Sequence, residues 1–116
     1  MPASSRSETE AEFLALAAQF WDALKLKDRA KTANGFSARA DEIVTEWQLH
    51  GTAIENLRPL LSNSDARVRY AAAAYLLQCG DHEHALPTLR SLAQEPSGFI
   101  APTARLLLLK HGYAVA

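Results

Sequence analysis

Cys79, Asp81, His82 and His84 stand within six residues of one another. A thiolate with two imidazoles can bind zinc in principle, but a closed zinc site needs four donors in a tetrahedron. No second Cys/His cluster supplies the missing donors at the usual spacing. His82 and His84 are two residues apart, so on a helix they do not share a face. Asp81 and the polar string after it are expected to start a helix with both histidines in solvent, and no metal site is expected. Cys79 as a nucleophile would need a neighbouring base and an electropositive pocket. It falls at the end of a helix, where the backbone dipole disfavours a thiolate. Asp41 and Glu42 are adjacent and diverge around a helix, which makes a poor acid–base pair. The chain has no Gly-rich phosphate loop, nucleophile elbow or zincin pattern. These residues imply no enzyme, no catalytic residues and no cofactor.

The elements that would have to position any site are helical. The chain has 116 residues, 48% hydrophobic and 22% charged, with a net charge of −1. That is enough for one domain with its own core. A nucleic-acid binder draws most of its affinity from a basic excess, which is absent here overall. Lys25, Lys27, Arg29 and Lys31 form one local basic cluster, expected as a solvated helix junction. The single cysteine excludes an internal disulfide, which fits a reducing compartment. Residues 1–10 have no apolar signal-peptide core, and no apolar run approaches the roughly 20 residues that cross a bilayer. The expected location is the cytoplasm.

Residues 1–6 are expected to be disordered. Ser7 and Glu10 form a capping box. Phe13, Leu16, Ala17, Phe20 and Leu24 then recur at helical spacing, predicting a helix over about 8–26. Phe36, Ala40, Ile43, Val44 and Trp47 predict a second helix over about 29–50, closed by Gly51. Asn34-Gly35 is a turn dipeptide. Matching apolar phase on both sides favours a continuous helix, with a break at Asn34 as the alternative. Residues 7–51 thus form a helical hairpin.

Residues 52–112 repeat with an offset of 32. Ala53 aligns with Ala85, Leu57 with Leu89, Arg58 with Arg90 and Leu60 with Leu92. Ala72 aligns with Ala104, Leu76 with Leu108, Leu77 with Leu109 and Gly80 with Gly112. A helical hairpin recurring without gaps is the mark of an α-solenoid. In the first unit, Thr52 caps a helix running to Leu61, Asp65 caps a second over about 67–79, and Gly80 ends it. In the second unit, a helix runs from Asp81 to about Gln94, Pro96-Ser97-Gly98 breaks the chain, and a last helix ends before Gly112. Pro59 and Pro102 are expected to kink their helices. Leu106-Leu107-Leu108-Leu109 puts leucine on every side of the last helix, so something must cover it on more than one side. Helix 1, the C-terminal tail or another chain could do so.

Leu57-Arg58-Pro59-Leu60-Leu61, Val68-Arg69 and Ala71-Ala72-Ala73 resemble the HEAT repeat, in which a valine–arginine pair opens an alanine-rich second helix. From Phe13 onward the chain resembles a bacterial HEAT-like family known as domain of unknown function two-thousand-nineteen. Lys31, Asn34, Ile43, Glu46 and Gly51 carry that likeness. Trp47, where leucine is commoner, and Gly35 depart from it. The resemblance implies an all-α, HEAT-like superhelix of about six helices. It also implies a protein-binding role, since small families of this kind include immunity proteins that neutralise secreted toxins.

On the helix over 67–79, Val68, Ala71, Ala72, Tyr75 and Leu76 form the expected core face. Arg67, Arg69, Tyr70, Ala73 and Leu77, with Arg105 on the last helix, form the candidate partner surface, because arginine and aromatic side chains are favoured interface anchors. The alternative is that Tyr70 and Leu77 pack inside the domain. Two further readings stand beside a protein, or toxin, partner. One is a nucleic-acid binder using Lys25, Lys27, Arg29 and Lys31 with Arg67 and Arg69. The other is a homodimer seamed by the last helix.

Overall fold

The computed structural model describes residues 6–25, 30–95 and 100–113, without the side chains of residues 6–8, 22–25 and 30–37. Six α-helices follow in order: α1 (Arg6–Lys25), α2 (Ala30–Leu49), α3 (Ala53–Leu57), α4 (Ala66–Gln78), α5 (His82–Ala93) and α6 (Ile100–Lys110), with a 3-10 segment over Arg58–Ser62 after α3. No strand occurs among the described residues. The helices form two compact units, Met1–Thr52 and Ala53–Ala116.

In the first unit α1 and α2 pack on each other. Phe13, Leu16 and Ala17 are buried against a face holding Ala40, Ile43, Val44 and Trp47, as their spacing predicts. Phe20 is only half-buried, and the adjacent Trp21 is buried in its place. Trp47 stacks at a tilt on Phe13, with ring centroids 5.6 Å apart. Its indole N–H donates to the buried Thr9 hydroxyl at 3.2 Å. A tryptophan is thereby accommodated where leucine needs no partner, because a buried indole N–H left unsatisfied would be costly. The helix α2 runs unbroken through Asn34-Gly35. At the other end α1 begins at Arg6, which places Ser7 inside its first turn rather than ahead of it. The side chains of the basic cluster, of Leu24 and of Phe36 are not among those described.

In the second unit the helices form two successive hairpins. The first helix of the first hairpin is shorter than the sequence predicts. Pro59 has no N–H to donate to Glu55, and the chain passes from α3 into the 3-10 segment at Arg58. Asp65 caps α4 as expected, accepting from the Arg67 backbone N–H at 2.9 Å. Pro102 is the third described residue of α6, in the first described turn, where a proline is tolerated. Pro87 lies deeper, inside α5, but on its exposed side, where water can serve the freed carbonyl.

Gly80 and Gly112 have φ of 90° and 81°, and each closes its hairpin with the same pair of bonds. Gly80 N–H donates to Leu77 O and Asp81 N–H to Leu76 O; Gly112 N–H donates to Leu109 O and Tyr113 N–H to Leu108 O. This is the Schellman pattern, and the left-handed residue it needs is cheapest as glycine. The repeat also governs the core. Ala53 and Ala85, Leu57 and Leu89, Leu60 and Leu92, Ala72 and Ala104, and Leu76 and Leu108 are buried as pairs.

Candidate protein-binding surface

The six residues of the candidate surface separate into two groups. Ala73 and Leu77 are 0% and 3% exposed. They belong to the core, which corrects their assignment to an accessible face. The reason is that α4 packs on the 3-10 segment and α3 of its own hairpin and on α5 and α6 of the next, so its second face is covered as fully as its first. Arg67, Arg69 and Tyr70 are part-exposed and Arg105 is exposed.

Arg67 and Arg105 are held by short hydrogen bonds, whereas Arg69 is held less closely and its buried Nε has no hydrogen-bond partner among the described residues. Arg67 forks onto the capping carboxylate of Asp65 at 2.8–3.2 Å. The Arg67 side-chain hydrogen bond is the main reason that carboxyl is held below its ordinary range. Arg69 reaches Glu95 at 3.5 Å, a long contact for a hydrogen bond. Arg105 Nε donates to the Ala93 carbonyl at 2.9 Å, serving one of the acceptors left open at the end of α5. Two helices flanking α5 therefore send guanidinium groups to the same place, its C-terminal end. Cations are favoured there by the helix dipole. Tyr70 is largely desolvated, which pushes its phenol pKa up.

The Cys79–His84 segment is dispersed by its packing. Cys79 is half-buried. Asp81 is buried and turns its carboxylate to Arg58 Nε at 2.8 Å and to His84 Nδ1 at 2.9 Å. Asp81 precedes α5, but its side chain makes no capping bond. The Arg58 hydrogen bond is the main cause that lowers its pKa. His82 turns instead to the Tyr113 hydroxyl, with its ring edge-on to the phenol. Among the described residues no group of three or more His, Cys, Asp or Glu side chains is placed to hold a metal ion. The Arg58–Asp81–His84 set was not legible beforehand. Its only signal was an arginine at a repeat position and an aspartate directly after a closing glycine.

Sequence reasoning also left the four leucines of α6 undivided. In the structure Leu108 is fully buried and Leu107 half-buried, while Leu106 and Leu109 are 67% and 59% exposed. With the exposed Pro102 they make an apolar stripe at i, i+4 and i+7 along the outside of α6.

No helix among the described residues is long and apolar enough to cross a membrane. Comparison with curated proteins and with solved structures gave no match. A family model for HEAT repeats does match, over residues 26–108, from ahead of α2 into α6. With the paired hairpins, their shared glycine closures and their shared core positions, that match places this chain in the HEAT-repeat family.

Proposed function

We propose that the chain is a non-catalytic protein-binding module that grips a second polypeptide along the edge formed by Arg67, Arg69, Tyr70 and Arg105. The observation that carries this reading is the convergence of Arg69 and Arg105 on the end of α5. A guanidinium group ordered in the unbound chain, as Arg105 is, loses less freedom on binding, and the planar forks of both arginines suit carboxylates. Membership of the HEAT-repeat family supports it, since solenoid repeats offer extended binding surfaces. The partner edge is expected to be acidic.

Its sharpest form is a bacterial, cytoplasmic immunity protein that neutralises a secreted toxin. The likeness to domain of unknown function two-thousand-nineteen supports that form. Co-expression with the product of the neighbouring gene tests it. The wild-type chain should restore growth, and Arg69→Glu with Arg105→Glu should abolish protection while keeping the helical circular dichroism signal. Growth arrest that the wild-type chain does not relieve would count against toxin neutralisation. Full protection by the double variant would count against this edge.

A further inference from the structure

We infer, resting on the edge proposed above, that Arg69 is the group that takes an Asp or Glu carboxylate of the partner, and that Glu95 stands in for that carboxylate until the partner displaces it. The three arginines of the edge differ in what they have left to give. Arg67 places Nε and Nη2 on the two oxygens of Asp65. That carboxylate also accepts from the Arg67 backbone N–H at the start of α4, so the pair is closed on itself. Arg105 commits its Nε to the Ala93 carbonyl. Arg69 commits nothing firmly. Its Nη1 is 3.5 Å from Glu95, beyond the roughly 2.7–2.9 Å of a charge-assisted hydrogen bond. Its Nε is buried and has no acceptor among the described residues.

A buried donor without an acceptor destabilises the placement it is in. The Arg69 guanidinium therefore gains from any turn that brings Nε and an Nη together onto one carboxylate, the two-point geometry that Arg67 shows with Asp65. Glu95 does not supply that geometry. It follows the end of α5, where its own backbone N–H is tied to the Leu92 carbonyl, and it meets Arg69 at one long contact. A carboxylate arriving from solvent has no such tether. The Arg69 and Glu95 side chains are 25% and 36% exposed, so their contact is open to water on one side and can be reached. An ion pair this open contributes little, so Glu95 yields at small cost. Charge points the same way. Arg67, Arg69 and Arg105 share the edge with the carboxylates of Asp65 and Glu95, and Asp65 is spent on Arg67. Once Glu95 is displaced, an incoming carboxylate meets an uncompensated guanidinium.

Fluorescence anisotropy of a fluorescein-labelled hexaglutamate peptide, titrated with the full chain at low salt, tests this. Glu95→Gln should bind the peptide about 2- to 5-fold more tightly than wild type, the range set by releasing one exposed ion pair. Glu83→Gln makes the same change of charge on the same helix, at its other end, and should leave binding unaltered. Arg69→Met should weaken binding, and adding Glu95→Gln to it should restore nothing, because the group that Glu95 occupies is gone. Arg69→Gln repeats that arm should Arg69→Met lose its helical circular dichroism signal. Equal binding by wild type and Glu95→Gln overturns the displacement, and with binding still lost in Arg69→Met it leaves the edge itself standing. A gain from Glu95→Gln that persists without Arg69, or that Glu83→Gln matches, also overturns it, since bulk charge would then be the cause. Peptide bound as well by Arg69→Glu with Arg105→Glu as by wild type, or bound by no variant, removes the edge and the displacement together.

Discussion

The helices α4 and α6 occupy the same place in successive hairpins and share their inward residues, yet their second faces have opposite fates. Leu77 is 3% exposed and its counterpart Leu109 is 59% exposed; Ala73 is fully buried where Arg105 is open to solvent. The difference is in neighbours. One helix has a hairpin stacked beyond it, and the other is the last helix described. A repeat in sequence thus reports the part of each unit that faces its own hairpin partner. It says nothing about the face turned to the next unit.

The shared inward face gives the largest expected effect. Leu76 and Leu108 are both fully buried, so Leu76→Ala and Leu108→Ala should each cost about 2–5 kcal/mol in urea unfolding. A loss near zero for Leu108→Ala would mean that the second hairpin repeats the pattern without repeating the packing. The outward face sharpens the contrast. Leu77→Ala should fall in the same range, whereas Leu109→Ala, measured where the chain is monomeric, should change stability by less than about 0.5 kcal/mol. Equal effects would erase the difference between the two helices.

Next come the closures. A Cβ at Gly80 or Gly112 meets nothing within 4 Å, so alanine there is opposed by backbone strain alone. Gly80→Ala should cost about 1–2 kcal/mol. Gly112→Ala should cost less, because the terminal turn of α6 can relax. A larger loss at Gly112 would show that the two closures are not equivalent.

The smallest effect concerns a pair that the repeat does not copy. Arg58 holds Asp81, but the positions 32 residues on are Arg90 and Tyr113. Chiefly through the Arg58 hydrogen bond, Asp81 has its carboxyl pKa lowered in the folded chain. Its stabilisation is therefore present above the unfolded value near 4 and is lost as pH falls through the lower folded value. Thermal melts of Asp81→Asn below about pH 4 should show a shallower fall of Tm with pH than wild type. Asp65 and Glu12, also lowered, would supply the slope that remains. An unchanged slope would remove Asp81 from the account.

Much of the fold was legible because it rests on local rules. Helical spacing located the first two helices and the repeat with its breakers the other four, Gly51, Gly80 and Gly112 took left-handed closures, and Asp65 capped where it should. The departures have equally specific causes. Pro59 shortened α3 by withholding a donor, Trp21 rather than Phe20 filled the α1 core, and Pro87 sat inside a helix because its lost bond faces water. The candidate surface was half legible. Arg69 and Arg105 could be named, but their meeting at the end of α5 depends on how three helices align. Ala73 and Leu77 were misplaced because an alanine-rich face reads alike whether it is open or covered.

The order of helices, the Asp65 cap, the glycine closures and the doubling of the hairpin were thus determined by the sequence alone, since each follows from backbone sterics, hydrogen-bond supply and apolar spacing within a few turns. Which leucines are covered, where each arginine is anchored and which face of α6 stands open were decided only in the tertiary structure. Burial belongs to a side chain and its neighbour together, and that neighbour can stand tens of residues away or on another molecule.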